Sequence, residues 1–571
     1  MARFICMCRR NVRPGLDFAG ALEVLNARMF PDNIRPNPPI VHSREGLCFA
    51  VLNPSATVVA NDFGVCLGKT FDEPCDWWKP KAGVPDGSFM MFRSDADTVE
   101  LVTDIVASRT IWYVHTEDVF LAATSQRALV CLLEEFRPNP SAFAWMLSAG
   151  TLGPDNSWDC RIKRLGPDAR LLLDRRSWTL AVAKSKVEFV PSHAPREDHL
   201  TRMKQVLSDV FERLRVECSQ WDLMLSGGYD SRAILLMLRN RDCLRCITWG
   251  LASSVSDSLG DAYIARQLAS HFHVQHKYLE MELSNEGFET IAGRYLIAGE
   301  GRVDHISGYT DGMRVWRMLH EEGKGVIRGD EAFGKYAVDN EFETRDVIAL
   351  RCLSDCANLR GIDFELPAQV LPDYLQRKRG ETLETWRDRM NQEYELPCVW
   401  GALNDVKCTY VELMNPLISR NIVHLVRTLP DALRTNKRLF VDLVRGLSPA
   451  IPFAQRAAID RPFNILRTQE VVDLVRSTLD SSHARRLISR ELLGYIMGNI
   501  QIAHGAARSR APKKAGPLIK RLVPRPLKRI IKAVCQAPVL DVNVLAFRAY
   551  IIVKMCEMLG DDAASLRGMP R

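Results

Sequence analysis

The chain is 571 residues long, 47% hydrophobic and 25% charged, with a formal net charge of +7. Those proportions exclude a disordered or fibrous protein, and the length exceeds what one hydrophobic core organises, so two or three domains are expected. So mild an excess of Lys and Arg suits an anionic small ligand without demanding nucleic acid, and no nucleic-acid partner is expected. The 16 cysteines are scattered, and Phe4 to Cys8 is too short an apolar stretch for a secretory signal, which together predict reduced thiols and a cytoplasmic protein. Cys243 and Cys246 lack the second ligand pair that zinc requires and read as buried thiols. No apolar run reaches the length of a membrane span.

From Phe4 to about Leu180, short β-branched and aromatic segments alternate with Gly, Pro, Asn and Asp, the pattern of an antiparallel sheet domain with few helices. Successive strands are predicted at 86–92, 99–104, 111–114 and 119–124. After a polar connection near 175–202, the spacing of Met203, Val206, Leu207, Val210, Phe211 and Leu214 predicts a helix with one buried face. Leu223 to Leu225 is a short apolar strand running into glycines, followed by a helix over 233–238. A strand at 246–249, a helix over 261–271 and a strand at 277–279 continue the alternation, which predicts a parallel sheet with helices on both faces.

Beyond about Glu341 the pattern is largely helical, with an apolar face from Leu417 to Val426. The stretch from Arg508 to Lys532 is basic and broken by four prolines. It reads as a solvated connection, with docking to an anionic peptide or lipid surface as the alternative. Three units result: residues 1–185, 200–470 and 471–571.

The segment Ser226-Gly227-Gly228-Tyr229-Asp230-Ser231 lies where a strand enters a helix. A glycine-rich turn there offers backbone N–H groups and the positive end of a helix dipole to an anion, and the hydroxyls of Ser226 and Ser231 add donors. Asp230 among phosphates would be repelled unless a divalent cation lay between them, so it reads as a Mg²⁺ ligand. Neither a Walker A Lys nor a G-x-G-x-x-G follows, so a kinase-type P-loop and a dinucleotide fold are not indicated. Leu225 and Trp249, at strand ends beside the loop, are candidate nucleoside contacts, with core packing as the equal alternative.

The six-residue loop resembles the pyrophosphate loop of the ATP-pyrophosphatase superfamily, and Gly329-Asp330-Glu331-Ala332-Phe333-Gly334 resembles the second acidic loop of the asparagine synthetase family. That resemblance implies ATP and Mg²⁺ as ligands, with Asp330 as a second carboxylate on the same Mg-pyrophosphate. It extends to the segment beginning Asp261-Ala262-Tyr263 and to Asn415-Pro416-Leu417-Ile418-Ser419-Arg420, where Ser419 stands for the family's Asp. Asp86-Gly87-Ser88-Phe89, Asp104, Trp112-Tyr113 and Ala123-Thr124-Ser125 are similar to the family's amino-terminal glutaminase-type domain. The implied architecture is α/β: a glutaminase-like αββα sheet domain, then a parallel-sheet synthetase domain of the adenine nucleotide α-hydrolase type with a helical extension.

Three departures qualify what carries over. Ala2 stands where the family's cysteine nucleophile would be, so glutamine hydrolysis is not expected. Ile327 replaces a Glu or Tyr, and Ala458 and Arg461 occupy the region of a late Lys that stabilises developing charge. A guanidinium at Arg461 is equally a charge stabiliser and a surface ion-pair partner. The resemblance implies adenylation of a small-molecule or peptide carboxylate and its joining to an amine, with release of AMP and pyrophosphate. Lasso-peptide cyclases share this layout, which favours peptide ring closure over β-lactam closure, and a catalytically inactive binding module is the reading from another class.

Overall fold

The computed structural model describes residues 2–11, 18–55, 58–72, 76–239, 241–281, 284–459, 465–503 and 538–567. Arg461 and the basic stretch from Arg508 to Lys532 lie outside the described residues. In chain order the strands are β1 (Arg3–Arg9), β2 (Ile40–Arg44), β3 (Leu47–Leu52), β4 (Val59–Asn61), β5 (Gly64–Thr70), β6 (Gly87–Ser94), β7 (Thr98–Thr103), β8 (Trp112–His115), β9 (Val119–Ala123), β10 (Lys163–Arg164), β11 (Ala169–Asp174) and β12 (Thr179–Lys184). The second group comprises β13 (Trp221–Met224), β14 (Arg245–Gly250), β15 (Gln275–Glu280), β16 (Gly325–Ile327) and β17 (Leu413–Met414).

The first twelve strands form two antiparallel six-stranded sheets, ordered β10-β8-β9-β1-β3-β2 and β12-β11-β7-β6-β5-β4. Alternation along β1 explains why they stack. Phe4, Cys6 and Cys8 face the second sheet, while Ile5 and Met7 face helices. Phe92 of β6 closes the seam, its ring 5.0 Å from Phe4 and 4.6 Å from Phe49. The four strands predicted between 86 and 124 are present as β6 to β9.

The expectation of few helices here needs correction. Helices Phe18–Arg28, Gln126–Leu133 and Pro140–Ala149 cover the first sheet. Pro140–Ala149 is buried over most of its length, so it shows no amphipathic period by which a sequence reading finds a helix. Its ends are nonetheless marked, by Asn139 capping the Ser141 N–H and Gly150 in the left-handed region.

The other five strands form a parallel sheet in the order β15-β14-β13-β16-β17. Leu223, Cys246, Ile327 and Met414 face one side, where helices Arg196–Arg213, Asp230–Met237 and Asp261–His271 pack. Met224, Ile247, Val326 and Leu413 face the other, against helices Phe288–Gly299 and Arg314–Glu321. Trp221–Met224 is buried throughout, and its one charged residue, Asp222, is paired with Arg245. The protein is thus mixed α/β, with two antiparallel sheets and one parallel sheet.

The last helix, Val542–Ala564, is no appended tail. It packs on the amino-terminal helices, where buried Asp562 accepts from Arg127 Nε at 2.7 Å and Arg28 Nε at 2.9 Å. Cys218 and Cys243 are joined as a disulfide, which corrects the expectation of reduced thiols for this pair. Cys246 is a buried free thiol, as expected. Among the described residues no helix is long and apolar enough to cross a membrane.

Candidate functional site

From β13 the chain winds outward through β14 to β15, then returns to lay β16 on the opposite side of β13. At such a switch point the loops leaving two adjacent strands diverge and open a crevice beyond their carboxyl ends. The loop after β13 carries Ser226 to Tyr229 into helix Asp230–Met237, and the loop after β16 carries Arg328 to Gly334. The two segments singled out in the sequence therefore meet.

They meet closely. A Cβ added at Gly329 would lie 2.9 Å from Asp230 Cβ and 3.0 Å from the Ser231 nitrogen. Gly329→Ala is accordingly expected to displace the start of the helix and cost about 1–3 kcal/mol. Urea unfolding measures this, and a loss below about 0.5 kcal/mol would show that the loops yield freely.

The interior of the first loop differs from the expected cradle. Ser226 N–H donates to Ser231 Oγ at 2.9 Å, Gly227 N–H to Asp261 Oδ1 at 2.8 Å and Gly228 N–H to Ser226 Oγ at 3.2 Å. These three amides are engaged within the protein. The donors left for an anion belong to the first helical turn, since the first helical bond runs from Ala233 N–H to Tyr229 C=O. Gly227 serves packing, because a Cβ there would strike Ala454 Cβ at 2.7 Å and Ile264 Cβ at 2.8 Å. Gly228 is open, with only Ser226 Oγ near it among the described residues.

A cleft of about 420 Å³ opens at the junction, its walls including Tyr229, Asp230, Asp330, Glu331, Lys335 and Lys437. Lys437 is the group the sequence reading missed. Its Nζ lies 3.1 Å from both Asp230 oxygens and 2.7 Å from Glu331 Oε1. Burial opposes its charge, but Glu331 and Asp230 outweigh burial and hold its pKa above the ordinary value. Asn436 and Lys437 both adopt left-handed backbone, at φ 59° and 54°, and for a lysine that conformation costs roughly 1–3 kcal/mol that the surroundings must supply.

One signal for Lys437 was available. Lys437 and Arg438 open helix Arg438–Leu447 with no acidic residue in its first turn, the reverse of what a helix dipole favours.

Burial, then Glu331, push the Asp230 carboxyl up to about 6. Asp330 goes the other way. Burial works against its charge, but Arg328, bonded to Oδ1 at 3.1 Å, holds its carboxyl below the usual range. Among the described residues Asp330 Oδ2 is buried without a hydrogen-bond partner. Among the described residues no group of three or more His, Cys, Asp or Glu side chains forms a metal cage. Magnesium bound with phosphates asks less, one or two carboxylates with the remaining positions filled by phosphate and water. Asp230 and Asp330 fit that requirement once Asp230 exchanges Lys437 for the cation.

Other predicted positions fall elsewhere. Leu225 is core, its N–H bonded to Ile247 C=O and its C=O accepting from Thr248 Oγ1. Trp249 packs edge-on against Trp316 at 5.6 Å. Ile327 is fully buried, and Ala458 packs against Gly250. Ser419 donates to Asp86 Oδ2, while Asp86 Oδ1 accepts from Arg420 N–H at 2.7 Å, so both motif segments serve to join the sheets. No family model matches the sequence, and no curated protein matches it either, so the resemblance rests on these loops and their strands.

Proposed function

We propose that the chain is an ATP-dependent amide-bond-forming ligase of the asparagine synthetase type, which adenylates a carboxylate and joins it to an amine. The observation that carries this reading is that the S-G-G-Y-D-S and G-D-E-A-F-G loops leave neighbouring strands β13 and β16 at the switch point of a parallel sheet. In this reading the antiparallel pair is a degenerate amidotransferase-type αββα domain and the parallel sheet an adenine nucleotide α-hydrolase-type domain.

Adenylation turns a poor leaving oxygen into AMP. The charge to be stabilised sits on the departing pyrophosphate, which Lys437 and the first-turn N–H groups of helix Asp230–Met237 can receive. Glu331 and Asp230 keep the Lys437 ammonium in place. Mg²⁺, when bound, would neutralise phosphate charge as a Lewis acid, with Asp230 and Asp330 as its protein ligands. Ile327 and Ala458 offer no proton-transfer group, so this chain stabilises charge in place without a general acid or base there.

Ala2 is only 5% exposed, and the space beside it is about 20 Å³, room for about one water molecule. This supports an amine that arrives with the substrate, as in peptide macrolactam or β-lactam closure, with a peptide acceptor preferred. An inactive binding module is the second reading, favoured by the three loop amides already engaged and by Asp230 being paired with Lys437.

Purified protein with ATP and Mg²⁺, given aspartate plus ammonia, aspartate plus glutamine, or candidate peptides, is expected to release AMP and pyrophosphate with one of them. Nucleotide binding without turnover on any of these would favour the binding module. Failure to bind ATP would remove the ligase.

A further inference from the structure

Among the described residues two ammonium groups line the cleft, Lys335 and Lys437. Lys437 is held by two carboxylates and still faces the cleft. Lys335 has one, Glu395, whose Oε1 lies 2.8 Å from Lys335 Nζ and also accepts from Trp400 Nε1 at 3.3 Å. Among the described residues Glu395 Oε2 is buried with no hydrogen-bond partner. The ammonium also stands 5.6 Å from the centroid of the Trp400 ring, so it has a fixed seat at the cleft wall. Glu395 belongs to the π-helical stretch Asn391–Trp400, which contains Pro397, a distortion of the kind found where a helix presents a side chain to a site.

The backbone ties both lysines to one rim. Asn436 N–H donates to Lys335 C=O at 2.8 Å. Gly334, at φ 124°, lets the two loops cross, since a Cβ there would lie 2.3 Å from Arg434 O. Just beyond Lys335 the cleft opens to solvent, and Tyr336 is 74% exposed. A polyphosphate that begins at the amino end of helix Asp230–Met237 and passes Lys437 would thus end at Lys335.

We infer that Lys335 binds the terminal phosphate of the nucleotide, making the cleft selective for a triphosphate over a diphosphate, with Glu395 as the residue that positions it. The inference rests on the ATP-binding reading of the same cleft. A phosphate oxygen is a stronger partner for an ammonium than a carboxylate already shared with an indole N–H, so Lys335 can turn outward without leaving a buried cation alone. Burial raises the Glu395 carboxyl pKa and Lys335 opposes that rise, so loss of the cation favours the neutral carboxyl.

The test is calorimetric titration of the full chain with Mg-ATP and Mg-ADP, for wild type, Lys335→Ala, Lys335→Arg and Glu395→Gln. Lys335→Ala is expected to weaken ATP about tenfold and leave ADP within about twofold, with Lys335→Arg restoring the preference. Glu395→Gln is expected to narrow the ATP-to-ADP ratio without changing ADP affinity, a readout a purely structural role would not move. Equal weakening of both nucleotides, or an unchanged ratio in Lys335→Ala while wild type binds ATP, overturns the assignment to Lys335 alone. If wild type binds neither nucleotide, the ligase reading falls with it.

Discussion

Asp230→Asn is expected to lower AMP and pyrophosphate formation by about 10²–10³-fold, the range seen when one charge-stabilising group is removed from a preorganised site. The same substitution should leave the protein at least as stable at neutral pH. Burial, and then crowding by Glu331 and Asp330, push the Asp230 carboxyl up to about 6. A carboxyl whose folded pKa is raised binds its proton more tightly in the folded state. Its charge therefore costs stability increasingly as pH rises from the ordinary carboxylate range through about 6. The neutral amide removes that cost, while Lys437 keeps Glu331 at 2.7 Å. With the side chain 32% exposed, solvent screening limits the gain to about 1–2 kcal/mol.

Loss of turnover with retained or improved stability marks a group kept for function rather than for folding. Denaturant unfolding at pH 7 beside a pyrophosphate-release assay measures both. Undiminished turnover in Asp230→Asn would exclude Asp230 from the Mg-pyrophosphate site. A large loss of stability would instead make it a structural partner of Lys437.

The sequence made the first loop legible because its chemistry is local. Strand, glycines, hydroxyls and carboxylate fall within a dozen residues, from Trp221 to Ser231. The strand and helix order from Met203 to Leu279 was legible for a similar reason, since apolar period alone separates β13 to β15 from the helices between them. What the period could not show was which strands become neighbours. That β16 returns beside β13 is decided by a crossover, and it is this crossover that sets Gly329 against Asp230.

Lys437 was missed for a related reason. It lies far from Asp230 in sequence and reaches it only because two left-handed residues turn the chain before helix Arg438–Leu447. Asp261 appeared as one residue of a helical segment, whereas its carboxylate fixes the Gly227 N–H and so the shape of the loop. Helix Pro140–Ala149 escaped because complete burial erases the alternation by which helices are recognised.

Glu300→Ala is expected to cost about 3–5 kcal/mol, as follows from removing one partner of a buried ion pair. Glu300 follows helix Phe288–Gly299 in a left-handed conformation and is 4% exposed. Its carboxylate accepts from Arg3 Nη1 at 3.1 Å, from Gln126 N–H at 2.9 Å and from Ser125 Oγ. It thereby joins the first strand and the cap of helix Gln126–Leu133 to the second half of the protein. Burial works to lower the Arg3 pKa and Glu300 opposes this, so alanine would leave a buried guanidinium without its counter-charge and two donors without an acceptor.

Urea denaturation of Glu300→Ala, Glu300→Gln and the paired Arg3→Met/Glu300→Leu distinguishes charge from shape. Glutamine, whose single amide oxygen can replace one of the two carboxylate oxygens and accept either from Ser125 and Arg3 or from Gln126, should lose less than alanine. The apolar pair should recover much of the loss, because removing both charges abolishes the desolvation cost together with the attraction. If the paired variant were as unstable as Glu300→Ala, the hydrogen bonds to Ser125 and Gln126 would be what matters. The wall beside Ala2 would then be held by helix capping, leaving the buried Arg3 charge without a stabilising role.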